Sequence, residues 1–318
     1  MRILHIVPGL DEPGNGISVA ARLVASEHGS TLVDAAAFSH GRACLDGIDE
    51  AWVHSCWSPA VVEACFRVLR EGVSLVRMTH ANLDPVRLAY HGWKKWLAGF
   101  AEKPLLRRSS RIVATCVAEM DWIKNYLGKR CPKIEVIDLK RFFDLDHVTH
   151  EVPLAHLSPE VSRRSLHLLY LGRRHPLKGV EYLEAAVADV VSECRSSNVE
   201  SKTPPIELRI VSDAFGEEKQ RVWEWCDVLV LPTLSENFGL VVAEALEKGK
   251  AVITTDGAPA WEPEECGNVE MWKSPEGRLI YLKGYREGTS EKRAELLKNA
   301  ILAVLGQSHN LTIKQSNN

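Results

Sequence analysis

Residues Asp227–Glu262 read DVLVLPTLSENFGLVVAEALEKGKAVITTDGAPAWE. Asp227 to Pro232 is a short Val/Leu run closed by proline, as expected for a strand buried on both faces of a parallel sheet. Thr233 to Gly239 is polar and carries Ser235, Asn237 and Gly239, so it is a loop. Leu240 to Lys248 sets Leu240, Ala243 and Leu246 toward one side, with Gly249 as the stop, which predicts a helix. Ala251 to Thr255 is the next strand. The loop therefore leaves the carboxyl end of a strand and enters a helix N-terminus, where open α/β sheets bind ligands.

Anion and sugar recognition fits that place. The N–H groups of Phe238, Gly239 and Leu240 would open the helix and face a diphosphate, aided by the helix dipole. Gly239 lets the backbone come close. Glu236 stands on the loop and Glu244 about one and a half turns into the helix. Both can point into one crevice and accept hydrogen bonds from sugar and ribose hydroxyls. An ordinary βαβ unit with solvated glutamates is the alternative, because a spacing gains meaning only from its context.

The order strand, Pro, Ser-Glu-Asn-Phe-Gly, helix, Glu, Ala-Leu, Gly-Lys-Ala-Val, strand resembles the Glu-x7-Glu nucleotide-sugar signature of the group 1 retaining glycosyltransferases. That resemblance implies the GT-B architecture: α/β, two facing Rossmann-like domains with parallel sheets and a cleft between them. The ending Asp256-Gly-Ala-Pro-Ala-Trp-Glu262 looks like one seen in polysaccharide and lipopolysaccharide branches of that family, with Glu262 a sugar or loop-anchoring contact.

Working outward, Ser165 to Leu171 is a strand, followed by Gly172-Arg-Arg-His-Pro-Leu-Lys-Gly179 and a helix from Val180 to Val191. An Arg and a Lys five residues apart, bracketed by glycines, suit a diphosphate: Arg binds it bidentately and Lys adds a point charge. The family's matching segment reads Gly-Arg, a few residues, then Lys-Gly. The resemblance assigns Arg173 and Lys178 to neutralising the leaving nucleoside diphosphate, against a solvated basic turn as the plain alternative. Between the strand Ile206–Val211 and Asp227 a whole strand-helix unit is missing relative to the family.

The first half alternates strands and helices, which predicts a largely parallel sheet. Arg2–Val7 is the first strand. A Gly/Pro loop, Pro8–Ser18, precedes a helix at Val19–Glu27; Gly14 and Gly16 hold the place of the family's glycine-rich turn near the donor, and a plain βα turn is the alternative. Apolar runs follow at Leu32–Phe38 and Ala51–His54, then a helix at Val61–Arg70 and a strand at Val73–Met78. His80, just past that strand, is expected to line the cleft and, by resemblance, to orient the reacting face. His5, His40, His54 and His91 are weaker candidates. Glu119 follows the strand Arg111–Cys116 but lacks the family's serine context and is left out of the site. Asp138–Phe143 replaces the family's Pro-Asn-Gly-Val-Asp turn.

Pro85 to Arg111 is dense in Lys and Arg, and Trp93, Trp96 and Phe100 recur at helical spacing. An amphipathic core helix with a solvated basic face explains this. So does a helix whose aromatics meet a membrane interface while its cations meet anionic headgroups, or a site for an acidic acceptor.

The expected domains are 1–152, an acceptor-side Rossmann-like domain; 153–288, which binds nucleotide sugar; 289–306, a helix packing back on the first domain; and a tail at 307–318. The boundary falls in the polar, proline-bearing stretch 149–164. At 318 residues, 45% hydrophobic and 25% charged, the chain is ordinary globular protein. A net charge of -3 argues against a dedicated nucleic-acid partner. Eight cysteines without ligand spacing suggest reduced thiols and no metal site. The start, MRILHIVPGL, reads as a strand rather than a signal segment, and no apolar stretch is long enough to span a bilayer. The expected localisation is cytoplasmic, at the inner face of the membrane if residues 85–111 dock there. Expected partners are a UDP-, GDP- or ADP-linked sugar and a glycan or lipid-linked acceptor, with no cofactor. A nucleotide-sugar epimerase and a non-catalytic, sugar-nucleotide-binding subunit are the other readings.

Overall fold

The computed structural model describes residues 1–41, 44–90, 92–145, 165–196, 206–267, 269–274, 278–305 and 314–315. They divide into two compact units, Met1–Phe142 and Phe143–Asn318. The stretch 149–164, where the sequence places its boundary, lies outside the described residues, as do His91 and most of the tail.

The first unit is built on six strands, β1 (Ile3–Val7), β2 (Thr31–Asp34), β3 (Glu50–His54), β4 (Ser74–Met78), β5 (Arg111–Ala114) and β6 (Lys133–Val136). They pair in parallel in the order β2-β1-β3-β4-β5-β6. β1 and β3 are buried along their whole length, so they read as continuous apolar runs interrupted by functional exceptions. Connecting helices are α1 (Gly16–His28), α2 (Ala35–Ser39), α3 (Pro59–Arg70), α4 (Pro85–Ala89), α5 (Gly92–Arg107) and α6 (Val117–Leu127). α1 starts three residues before its expected position. Asn15 caps it by accepting from Ile17 N, and Gly29 ends it in the left-handed region at φ 58°.

The expected strand Leu32–Phe38 is half strand and half helix. Asp34 accepts from the amides of Ala36 and Ala37. That cap turns the chain into α2 through Ala35-Ala-Ala, residues with high helix propensity.

α5 meets the core through its C-terminal part and not through its aromatic stripe. Arg77 of β4 donates to Glu102 of α5 at 2.5 Å and to the Ser55 carbonyl at 2.7 Å, and both charged side chains are fully buried. Separating a buried ion pair costs several kcal/mol, about 3–5, so the pair holds the Glu102 turn against the sheet. Leu105 and Leu106 are buried with it. The opposite face carries Trp93, Trp96, Leu97 and Phe100, which are 66%, 67%, 52% and 69% exposed.

The second unit holds β7 (Leu166–Leu171), β8 (Ile206–Val211), β9 (Val228–Leu231), β10 (Ala251–Thr255), β11 (Met271–Lys273), β12 (Leu279–Leu282) and β13 (Lys314–Gln315). Their order is β13-β11-β12-β10-β9-β7-β8. All pairs are parallel except β11–β12. Helices α7 (Val180–Ser196), α8 (Gly216–Trp225), α9 (Leu240–Glu247) and α10 (Ser290–Val304) complete it. One helix, α8, joins β8 to β9. β7 is followed by β8 on one side and by β9 on the other, which makes the β7/β9 seam a topological switch point.

α10 packs within its own unit. Leu296, Leu297, Ala300, Ile301 and Val304 form its buried side, and it packs along α7, whose Val180, Leu183, Ala186 and Val190 are buried. The apolar stripe is thus consumed within its own unit, pinned by Lys298 pairing with Glu193 and by Arg293 Nη1 donating to Tyr182 OH at 3.0 Å. Among the described residues no helix is long and apolar enough to cross a membrane.

Candidate functional site

In the second unit, three loops converge at the carboxyl ends of β7, β9 and β10. The first carries Arg173 and Lys178. His175 makes its turn by accepting from Leu177 N at 3.1 Å, and Tyr170 OH donates to the Arg173 carbonyl at 2.9 Å. The second carries Glu236 to Leu240. The two are stitched together: Leu234 N and Thr233 Oγ1 both donate to the Leu177 carbonyl, at 2.8 and 3.0 Å. Gly179, at φ +64°, sits so close to the Pro232 carbonyl that a Cβ there would meet it at 2.1 Å. The third loop adds Gly257. Its carbonyl accepts from Glu236 N at 2.7 Å, and a Cβ on it would lie 2.0 Å from the Thr233 carbonyl oxygen.

This stitching brings Lys178 and Glu236 into a direct ion pair across the switch point, with side chains 23% and 16% exposed. Arg173 is exposed and belongs to the same loop. Glu236 also accepts from Asn237 N at 3.1 Å. Gly239 begins α9 at φ 75° with no side-chain cap, so the amides at the opening of the helix are left for a ligand or water. Phe238 is an anchor as well as an amide. Its ring stacks on Phe143 with centroids 6.0 Å apart and tilts against Trp261 at 5.2 Å, while Trp261 Nε1 donates to its carbonyl.

Glu244, on α9, is held by Lys219 of α8 at 2.7 Å. Lys219 escaped the sequence reading because α8 carries no recognisable motif; an acidic-basic helix gives no signal of which cation faces inward. Glu262 pairs with Lys283 at 2.8 Å and anchors its loop.

The first unit gathers a separate cluster from the middle of β1, the carboxyl end of β3 and the loop after β4, beside the β1/β3 switch point. His5, His54 and His80 are all buried and follow one another by ring-nitrogen contacts of 2.9 and 2.8 Å. Burial is the main cause that lowers each of their pKa values, to about 4 for His5, to about 3 for His80 and well below the ordinary value for His54. Positive charge adds to this: His28 acts on His5, the neighbouring histidines and Arg77 on His54, and Arg87 on His80. Among the described residues, the non-glycine residues at positive φ are Ser55 (71°), Trp57 (73°), His80 (52°) and Ala81 (55°), all in the two loops after β3 and β4. Such strain persists only where the surroundings over-determine it.

Glu119, left out by the sequence reading, is what holds the His80 loop. It is fully buried and accepts from Thr79 Oγ1 and Ala81 N at 2.6 Å each, and from Thr115 N and Oγ1 at 2.7 and 2.8 Å. Gly16 is the exposed first residue of α1, and Gly14 supplies the left-handed turn before it at φ 70°. Among the described residues no group of three or more His, Cys, Asp or Glu is placed to hold a metal ion.

Residues 165–270 match the family model described as glycosyl transferases group 1. A D-inositol 3-phosphate glycosyltransferase of Segniliparus rotundus is 25% identical, over 73% of this chain and 59% of that relative, so the chain spans less than two thirds of its length. Among solved structures, a sucrose-phosphate synthase from Thermosynechococcus elongatus superposes with TM-score 0.64 at 15% identity, covering 96% of this chain and 90% of that one. An α,α-trehalose 6-phosphate synthase from Burkholderia multivorans does so with TM-score 0.58 at 10% identity, covering 95% and 92%. An E. coli structure described as trehalose-6-phosphate bound with UDP-2-fluoro glucose gives 0.56 at 11% identity, covering 96% and 92%. The fold is the GT-B class of α/β protein. Within it, the matched segment contains every one of the stitched second-unit loops.

Proposed function

We propose that this chain is a glycosyltransferase that moves a sugar from a nucleotide-sugar donor to an acceptor hydroxyl with retention of configuration. The observation that carries this is the Lys178–Glu236 pair across the β7/β9 switch point, beside the uncapped start of α9. In the second unit Arg173 and Lys178 stabilise the departing diphosphate electrostatically. Glu236 holds sugar hydroxyls, Glu244 the ribose, and the Asn237–Leu240 backbone the phosphates. When donor enters, Lys178 exchanges the carboxylate of Glu236 for phosphate oxygens, and Lys219 keeps Glu244 aligned. The first unit takes the acceptor side, with Gly16 near the donor and His80 orienting the reacting face.

The test is nucleoside diphosphate release from UDP-, GDP-, ADP- and dTDP-sugars, with and without chelator. Release from one donor, reduced about 10²–10³-fold in Lys178→Ala, is expected, with Glu244→Ala raising KM for that donor. No release and no donor binding would overturn the assignment.

The acceptor we propose is a glycan or lipid-linked saccharide at the cytoplasmic face of a membrane, in polysaccharide or lipopolysaccharide assembly. The exposed Trp93, Trp96, Leu97 and Phe100, with Lys94, Lys95 and Lys103 on the same helix, support contact with anionic headgroups. Eight cysteines, none in a disulfide among the described residues, are in keeping with a reducing compartment. The chain should co-sediment with vesicles rich in phosphatidylglycerol, and Trp96→Ser with Phe100→Ser should release it. Equal recovery on neutral vesicles, or no effect of the double substitution, would remove the membrane from the proposal.

A further inference from the structure

α8 and α9 open side by side in the second unit. The chain runs from β8 to β9 and from β9 to β10 in the same direction across the sheet, and right-handed crossovers then set both helices on one face. Both start beyond the carboxyl ends of strands, each beside a left-handed glycine, Gly216 at φ 53° and Gly239 at φ 75°. They are tied together one turn in. Lys219 Nζ of α8 reaches the two carboxylate oxygens of Glu244 on α9 at 2.8 and 2.7 Å. Further along, Lys248 Nζ donates to Gln220 Oε1 at 3.4 Å.

The two openings differ in chemistry. That of α9 has no acidic residue in its first turn and no side-chain cap, so it suits a phosphate. That of α8 carries Glu217 and Glu218, whose charges already answer the helix dipole and repel a phosphate. What α8 offers instead is Phe215. It precedes the helix without a side-chain cap bond, and Lys219 N donates to its carbonyl at 3.4 Å, so it stands one turn before the Lys219–Glu244 pair. Phe215 is 47% exposed, and among the described residues of the second unit no other large apolar side chain is exposed. A Cβ on the adjoining Gly216 would meet nothing within 4 Å, so the space over this turn is open.

We propose that Phe215 is the stacking platform for the nucleobase of the donor. This rests on the reading of Glu244 as the ribose ligand given above. With the diphosphate at the opening of α9 and the ribose on Glu244, the base is one glycosidic bond further on, toward the opening of α8. The charge pattern gives the donor its direction, phosphates over α9 and base over α8. Every base has a π face, so a phenyl ring there adds affinity without choosing the base.

The test is titration of UDP, GDP, ADP and dTDP into the full chain, with inorganic pyrophosphate as the probe that lacks both base and ribose. Phe215→Ala should weaken the nucleoside diphosphate that the wild type binds best by about 5- to 150-fold, the usual worth of a base–aromatic stack. Pyrophosphate affinity and the urea midpoint should stay as in the wild type, and Phe215→Trp should restore nucleotide affinity. In turnover, KM for the donor should rise with kcat unchanged, as for an interaction made equally in the ground and transition states. Unchanged nucleotide affinity in Phe215→Ala would overturn the proposal. So would an equal loss for pyrophosphate, which would make Phe215 a support of the loop rather than a seat for the base. A wild-type chain that binds nucleotide through Phe215 yet releases no diphosphate from any donor defeats the transferase reading and leaves this proposal standing. Donor turnover with a KM insensitive to Phe215→Ala does the reverse.

Discussion

Acidification from about pH 7 to about pH 5 will destabilise the first unit, before its carboxylates titrate. His5, His54 and His80 are neutral in the fold, with pKa values lowered to about 4, well below the ordinary value, and to about 3. In the unfolded chain each returns to about 6.5. Above that value neither state binds the protons, and the stability is fully present. Below it the unfolded chain takes up three protons that the fold refuses, so stability falls as pH falls. The slope is about 1.4 kcal/mol per pH unit for each histidine, levelling off only near the folded values. From about pH 6.5 to 5 His5 and His80 together remove about 4 kcal/mol, and His54, lowered in the same direction, adds to the loss. Glu50 and Asp34, whose carboxyl pKa values are lowered, contribute stability that is lost only further down, below the ordinary carboxylate range. Trp52 lies 5.1 Å from His5 and reports on the cluster. Urea midpoints followed by near-UV circular dichroism should drop steeply over this window, and His5→Phe should shallow the drop by about a third. A midpoint that is flat between about pH 7 and 5 would mean the rings are solvated or already protonated.

Gly179→Ala will lower the proposed diphosphate release as much as losing Lys178 itself, and will destabilise the second unit besides. Gly179 holds φ +64°, which costs an alanine about 1–2 kcal/mol. Its Cβ would also stand 2.1 Å from the Pro232 carbonyl oxygen, and backbone cannot swing aside as a side chain can. The β7 and β9 loops must part. The Leu177 carbonyl then loses Leu234 N and Thr233 Oγ1, and Lys178 is carried away from Glu236. Overpacking of this kind adds about 1–3 kcal/mol. Diphosphate release should fall about 10²–10³-fold or more, with a lowered urea midpoint. Gly29→Ala is the matched control: φ is +58° but nothing lies within 4 Å, so only the backbone term remains. Wild-type turnover and stability in Gly179→Ala would show that the two loops are not locked together.

Much of the architecture was legible from local patterns. β8 and β10 fall on the residues their periodicity predicts, and the Asp227–Glu262 stretch is strand, loop, helix and strand as read. Local misreadings have local causes, as at Asp34, where a cap outweighs an apolar run. A larger one does not. α5 carries an aromatic stripe that periodicity cannot orient, and the buried Arg77–Glu102 pair turns it outward.

The sequence by itself determined the fold class, the order of elements and the second-unit loops, because strand and helix periodicity and turn chemistry are encoded within a few residues. It also pointed to Lys178, Glu236, Gly239 and Glu244, since a motif keeps its spacing along the chain. Only the tertiary structure decided which groups meet: Lys178 with Glu236, Lys219 with Glu244, Glu119 around the His80 loop, and three histidines 49 and 26 residues apart in one file. Parallel pairing of β1, β3 and β4 sets those histidines side by side, and no spacing along a single strand records which strands will be neighbours.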